Sequence, residues 1–264
     1  MYLIDDKPFI DLTSEIDIDG LRTIEYDIAY GLAKSKNFFW DVGPYVNNRY
    51  DTTLPSIATV PLTMKDVEHP YHEYFKKLNF NSVECQTFAK FAGSYQGMGY
   101  GLWLRAFDKQ KIDLTKVGFM QHKANPDVHI DSPCYAHFPS LRKWIDNIPI
   151  FDKIGRIIFF LNAPGEIHSL HKDSYVGHVD SFILLNINQH KKTVFIFDDE
   201  TKEKYTVTDA CVFDTRQWHG STCNNWSWTL RIDGKFNYDW AKSKNLESYF
   251  FKKEELEGKR NASN

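Results

Sequence analysis

The sequence predicts a mainly β protein with flanking helices, arranged as an antiparallel sandwich or barrel, and three observations carry that expectation. Six short apolar runs fall in its second half, "RIIFFLN", "SFILLNIN", "KTVFIFDD", "EKYTVT", "ACVFDT" and "WSWTLRID", each bounded by turn or loop residues. No insertion of helix length separates them, which argues against a doubly wound fold with a parallel sheet. Aromatic residues make up 16% of the chain, with 20 Phe, 14 Tyr and 7 Trp, a content that suits sheets and flat-walled pockets better than a plain helical bundle.

The first half is read element by element. In "GLRTIEYDIAYGLAKS", Leu21, Ile24, Ile28 and Leu32 recur at helical spacing and predict a helix with one apolar stripe. "MKDVEHPYHEYFKKLNF" predicts a second short helix, broken near Pro70. Between them the stretch from Pro44 to Pro61 is rich in turn formers and carries Tyr45, Arg49 and Tyr50, which suits a mobile cover over a substrate mouth. "VECQTFAKF" and "YGLWLRAF" predict further strands, and "FPSLRKWIDNIPIFDKIG" a helix ending before a turn. The tail "NLESYFFKKEELEGKRNASN" begins helically and ends polar.

A formal charge of -3 with dispersed basic residues gives no electrostatic reason to bind nucleic acid or an anionic membrane. No run approaches the length of a membrane-spanning helix, and "MYLIDDKPFIDL" lacks a charged leader followed by an apolar segment, so the expected compartment is the cytoplasm. Cys85, Cys134, Cys211 and Cys223 show no C-x-x-C spacing and are expected as buried free thiols.

The candidate chemistry begins in "LNAPGEIHSLHKDSYVGHVDSFILLN", where His171-Lys-Asp173 and His178-Val-Asp180 lie seven residues apart. Residues two apart on a strand point to one face, so either pair can offer an imidazole and a carboxylate to one ion. A third ligand must come from another strand, and His219 in "ACVFDTRQWHGSTCNNWSWTLRIDG" is the best candidate, 48 residues beyond His171, after a strand-like run and before a small-residue turn. Two imidazoles and one carboxylate on one side of iron(II) leave the opposite positions open for a co-substrate and dioxygen. Arg231, twelve residues after His219, has the planar donors to bind a carboxylate in a fork. Thr229, Arg231 and Asp233 share one face of their strand, toward either a cavity or solvent, opposite Trp228, Leu230 and Ile232. His168, three residues before His171, faces away from it in a regular strand and is not counted as a ligand.

From these residues the sequence resembles the iron(II)- and 2-oxoglutarate-dependent dioxygenases, and more closely their prolyl and aspartyl/asparaginyl hydroxylase-like branch. The resemblance covers roughly residues 156 to 234 and rests on His-x-Asp, a distal His, a basic residue twelve positions beyond it, and a Pro164-Gly165 turn six residues before His171. It implies a double-stranded β-helix, the jelly roll of cupin-like proteins, whose sheets "VECQTFAKF", "YGLWLRAF" or both are expected to complete or extend. It selects His171, Asp173 and His219 as metal ligands and Arg231 as the anchor for the remote carboxylate of 2-oxoglutarate. His178 and Asp180 remain as a second pair, with Asp180 placed either to cap or start the "SFILLNI" strand or to line the substrate entrance. The implied activity is hydroxylation of an unactivated C–H bond in an amino acid or peptidyl side chain, with dioxygen consumed and succinate and carbon dioxide released.

The whole chain, 1–264, is accordingly expected as one dioxygenase domain: residues 1–100 as scaffold and substrate mouth, 156–234 as the metal-bearing β core, and 241–264 as the tail. Arg105, Arg142, Arg156 and Arg216 are available cations for a small-molecule or peptide substrate, and Tyr95, Tyr100, Trp103 and Tyr175 are available walls. Two other classes compete. A binding module built as a β-sandwich leaves these residues solvated or paired without a common focus, and a cupin-like isomerase or hydrolase keeps the metal but has no need of Arg231.

Overall fold

A computed structural model of the chain describes residues 8–35, 100–108, 110–113, 122–162, 167–171, 181–187, 192–197, 204–215, 217–223, 227–251, 255, 256 and 258. The Pro44 to Pro61 segment, "MKDVEHPYHEYFKKLNF" and "VECQTFAKF" lie outside them. The strands are β1 (Phe9–Asp11), β2 (Tyr100–Phe107), β3 (His129–Asp131), β4 (Phe151–Asn162), β5 (Ile167–His171), β6 (Phe182–Asn186), β7 (Lys192–Phe197), β8 (Lys204–Thr206), β9 (Ala210–Phe213), β10 (Trp218–Cys223) and β11 (Ser227–Phe236). The α-helices are α1 (Ile18–Thr23), α2 (Glu25–Lys34), α3 (Pro139–Ile145), α4 (Tyr238–Ser243) and α5 (Glu247–Phe250). None of the described helices is long and apolar enough to cross a membrane.

Strand pairing is antiparallel throughout and gives two sheets, one of seven strands in the order β1-β9-β6-β11-β4-β2-β3 and one of four in the order β5-β10-β7-β8. Both are open, with β1 and β3 at the edges of the larger and β5 and β8 at the edges of the smaller. This corrects the expected double-stranded β-helix. Over the described residues the chain is a mixed helix-and-sheet protein with two open sheets, not a jelly roll. Short loops predict antiparallel neighbours but do not specify how a sheet ends, and β1, β2 and β3, from outside the β-rich stretch, extend the larger sheet sideways.

The larger sheet has two differently built faces. On β11 the alternation predicted from sequence holds: Trp228, Leu230 and Ile232 are buried in one cluster with Leu102, Leu104, Ile157, Phe159, Ile183 and Leu185. Helical Leu21, Ile28, Leu141 and Ile145 cover that face. The opposite face carries Phe182, Cys211 and Phe213, which pack with Phe9 and with Ile196 of the smaller sheet. The two sheets therefore face each other, and the polar residues of β11 look toward that interior rather than toward solvent.

Other expectations shift in detail. The predicted N-terminal helix is divided at Ile24, whose backbone N–H bonds Leu21 O and Arg22 O and ends the first segment. The "FPSLRKWIDNIPIFDKIG" helix stops at Ile145, and Phe151 already belongs to β4, because the turn before Pro149 ends the helical period. Cys134 and Cys211 are buried free thiols, as expected. After β11, Asn237 caps α4 by accepting a hydrogen bond from Trp240 N at 2.8 Å and donates to Asp152 Oδ1 at 2.6 Å. Asn237→Ala is expected to lower stability by about 1 kcal/mol, the usual worth of an N-cap, in a denaturant titration.

Candidate metal and co-substrate site

The smaller sheet places two of the predicted ligands together. In the β5–β10 ladder His171 is directly opposite His219, and His219 is opposite Ile196 of β7. Directly opposed positions of an antiparallel pair share a sheet face, with Cβ atoms about 4.5–5.5 Å apart. Ile196 belongs to the cluster between the sheets, and the His219 ring lies 5.3 Å from that of Phe213 on the larger sheet. His219 therefore faces the interior, and the backbone register sets His171 opposite it. His171 is described as backbone, and Asp173, His178 and Asp180 lie outside the described residues.

His219 is 8% exposed, and its Nδ1 is 2.8 Å from the carbonyl oxygen of Gln217. A carbonyl only accepts, so Nδ1 carries the proton, and Nε2 is the nitrogen through which this ring would bind a metal. Among the described residues no group of three or more His, Cys, Asp or Glu is positioned to hold a metal. The predicted carboxylate, Asp173, is outside that set.

The expectation that His219 lies between a strand and a turn is replaced by a position inside β10. "WHGSTC" has the small polar composition of a loop, and the ladders to β5 and β7 on either side override it. The backbone register around His168 is not that of a regular strand. A register shift between His219 and Ser221 pairs Ser221 with His168 and His219 with His171, so the two histidines oppose alternate residues of one β10 face. The irregularity cancels the parity of a regular strand.

The larger sheet contributes a buried polar row facing the same interior. Thr229, Arg231 and Asp233 are 0%, 8% and 1% exposed. Arg231 donates to Asp233 Oδ1 from Nε at 3.0 Å and from Nη2 at 2.8 Å, and its guanidinium lies 3.9 Å over the Phe182 ring. Arg156 of β4 donates from Nε to Asp233 Oδ2 at 2.7 Å. The β4–β11 register shifts between Ile232 and Gly234, which turns Asp233 toward both arginines. Gly155 permits this approach: a Cβ there would stand 2.3 Å from Lys123 O, the carbonyl that accepts the Arg156 N–H at 3.0 Å. Burial alone would raise the Asp233 carboxyl, but Arg156, then Arg231 and Lys123, outweigh it and hold the group below the usual aspartate range. The Thr229 hydroxyl is buried without a hydrogen-bond partner.

Of the other predicted cations and walls, Trp103 meets Arg156, whose guanidinium lies 5.3 Å over its ring, while Arg105 and Arg142 turn to Asp131. Arg142 pairs with Asp131 at 2.7 Å, and Arg105 lies 3.8 Å from the same carboxylate. Trp103 is buried beside Phe107 and Ile158 on the interior face. Arg216, Tyr95 and Tyr175 lie outside the described residues. Sequence reasoning missed Lys123 and His129. His129 heads a third His-x-Asp, "HID", whose Asp131 is committed to the two arginines.

No protein-family model matches this sequence, and no curated protein matches it. Among solved structures, a Pseudomonas putida prolyl-4-hydroxylase is similar at 13% identity over 40% of this chain and 69% of that one, with a TM-score of 0.28. An oxidoreductase of the 2OG-Fe(II) oxygenase family from Burkholderia pseudomallei is similar at 8% identity over 51% of this chain and 66% of that one, with a TM-score of 0.33. A cupin superfamily protein from Desulfitobacterium hafniense is similar at 21% identity over 31% and 67%, with a TM-score of 0.22. The chain thus has weak, low-identity structural similarity to several oxygenase and cupin superfamily members.

Proposed function

We propose that the chain is an iron(II)- and 2-oxoglutarate-dependent dioxygenase that hydroxylates an unactivated C–H bond of an amino acid or peptidyl side chain. The observation that supports this reading best is the β5–β10 register, which sets His171 opposite His219, with the His219 Nδ1 proton directed to the Gln217 carbonyl. His171, Asp173 and His219 would hold the iron. Bound iron with 2-oxoglutarate and dioxygen supplies the oxidising chemistry, releasing succinate and carbon dioxide.

The chain's own residues orient the reactants and exclude water. Arg231 would receive the remote carboxylate of 2-oxoglutarate, and the unpartnered Thr229 hydroxyl, two residues earlier on the same face, offers a second donor. Asp233 fixes one edge of the Arg231 fork, so little side-chain entropy remains to be lost when the co-substrate binds. Because Asp233 is shared with Arg156, it offsets the Arg231 charge only in part. The burial of Thr229, Arg231 and His219 counts against the solvated form of a binding module, while the pairing of Arg231 with Asp233 is compatible with either reading. N-terminal Leu21 and Ile28 share a core with β11, which supports reading residues 1–264 as one domain.

Arg231→Ala is expected to weaken 2-oxoglutarate binding by roughly 2–4 kcal/mol, about 30- to 700-fold, measured calorimetrically with manganese(II) in place of iron. A metal-dependent isomerase or hydrolase would show unchanged metal binding and no 2-oxoglutarate response in either protein.

A further inference from the structure

We infer that Arg156 is a positioning residue that sets the charge selectivity of the co-substrate site: by holding one oxygen of Asp233 it stops that carboxylate from spending its whole charge on Arg231, and so favours a co-substrate whose remote end is an anion. The inference rests on the proposed reading of Arg231 as the co-substrate anchor.

The two oxygens of Asp233 are divided between the two arginines. Oδ2 accepts from Arg156 Nε at 2.7 Å, while Oδ1 accepts from Arg231 Nε at 3.0 Å and from Arg231 Nη2 at 2.8 Å. The side chains of Arg156, Asp233 and Arg231 are 5%, 1% and 10% exposed, so water and salt screen their mutual charges little. Burial alone would raise the Asp233 carboxyl, and among the cations that outweigh it Arg156 acts most strongly, ahead of Arg231 and Lys123.

The two arginines stand in different surroundings. Arg231 lies 3.9 Å over the Phe182 ring, Phe182 meets Phe213 edge to face at 5.2 Å, and Phe213 lies 5.3 Å from the His219 ring. Arg231 is thereby joined to the side of the interior where His219 stands. Arg156 lies 5.3 Å over Trp103, which belongs to a separate cluster with Phe107 and Ile158. Arg156 therefore acts on the anchor through Asp233.

Without the Arg156 charge, Asp233 is left to pair with Arg231 alone. A buried pair closed on itself attracts an arriving carboxylate less, and removing that carboxylate from water costs as much as before. With Arg156 in place, the arriving anion meets an arginine whose partner is already shared. The keto-acid end of the co-substrate is bound at the proposed metal site, so the effect falls on the remote charge.

The test compares 2-oxoglutarate with 2-oxopentanoate, which carries a methyl group in place of the remote carboxylate, by competition calorimetry on the full chain loaded with manganese(II). The quantity read is the ratio of the two dissociation constants, which cancels general damage to the site. Arg156→Gln is expected to lower the preference for 2-oxoglutarate about tenfold, the effect of one charge at effective protein screening, and to leave 2-oxopentanoate binding unchanged. Adding Asp233→Asn to Arg156→Gln should restore the preference, because the charge that Arg156 offset is gone. Arg156→Lys, which retains a buried cation, should keep the preference near that of wild type, and with the double variant it supplies the reading if Arg156→Gln does not fold. An unchanged preference in Arg156→Gln, an equal loss for both acids, a further loss in the double variant, or a collapse in Arg156→Lys overturns the inference alone. Wild-type protein that binds manganese but shows no 2-oxoglutarate response overturns the co-substrate reading itself, and this inference with it.

Discussion

His219→Ala and His171→Ala are each expected to abolish iron-dependent turnover, read as succinate release from 2-oxoglutarate, and to remove tight metal binding. The two positions are opposed in one ladder, and each supplies one of only three proposed protein ligands. Losing a ligand should therefore cost more than the roughly 10- to 100-fold that follows loss of an outer partner alone. His178→Ala serves as the comparison, because the alternative His-x-Asp pair is not needed by the proposed ligand set. Manganese(II) binding followed by electron paramagnetic resonance should survive in His178→Ala and fail in the other two. The reverse pattern would show that His178 and Asp180 form the true pair.

The second large effect concerns folding. Asp233 is 1% exposed and is the carboxylate that Arg156 and Arg231 share. Asp233→Asn leaves two guanidinium groups facing a neutral amide in the interior, and breaking a buried pair in this way should cost roughly 3–5 kcal/mol. A loss of less than about 1 kcal/mol in unfolding free energy, read by denaturant titration, would mean that the cluster is solvated and weakly coupled. The pH dependence has a definite sign. The folded pKa of Asp233 lies below its ordinary unfolded value, so its contribution is fully present above that value and is lost as pH falls through the folded one. Wild-type protein should lose stability on acidification, and Asp233→Asn should flatten the acid limb.

Residues that carry strong periodicity could be read from sequence. The β11 alternation of Trp228, Leu230 and Ile232 against Thr229, Arg231 and Asp233 was visible because a half-buried strand repeats every two residues, and the two faces meet different neighbours as expected. "YGLWLRAF" was visible as β2 for the same reason. The sheet boundaries were not. β1 and β3 are three residues each, too short to leave a period, and they join the larger sheet only through distant partners. β10 was hidden by its Gly, Ser and Thr residues, and the His168–His171 relation by a register shift that no local pattern announces. His129 and Lys123 were missed because their burial depends on tertiary placement, His129 through the pairing of β3 with β2 and Lys123 through its carbonyl accepting the Arg156 N–H of β4. Arg156 was noted only as a cation among others, since its partner Asp233 is 77 residues away.

The central claim is that one interior-facing site joins the smaller sheet's histidines to Arg231 of the larger. A crystal grown without oxygen, with manganese(II) and the unreactive 2-oxoglutarate analogue N-oxalylglycine, tests it most directly. The account predicts manganese bound by His171, Asp173 and His219, with the analogue chelating the metal at one end and its far carboxylate on Arg231. Manganese held by other side chains, or an analogue whose far carboxylate lies away from Arg231, would contradict it.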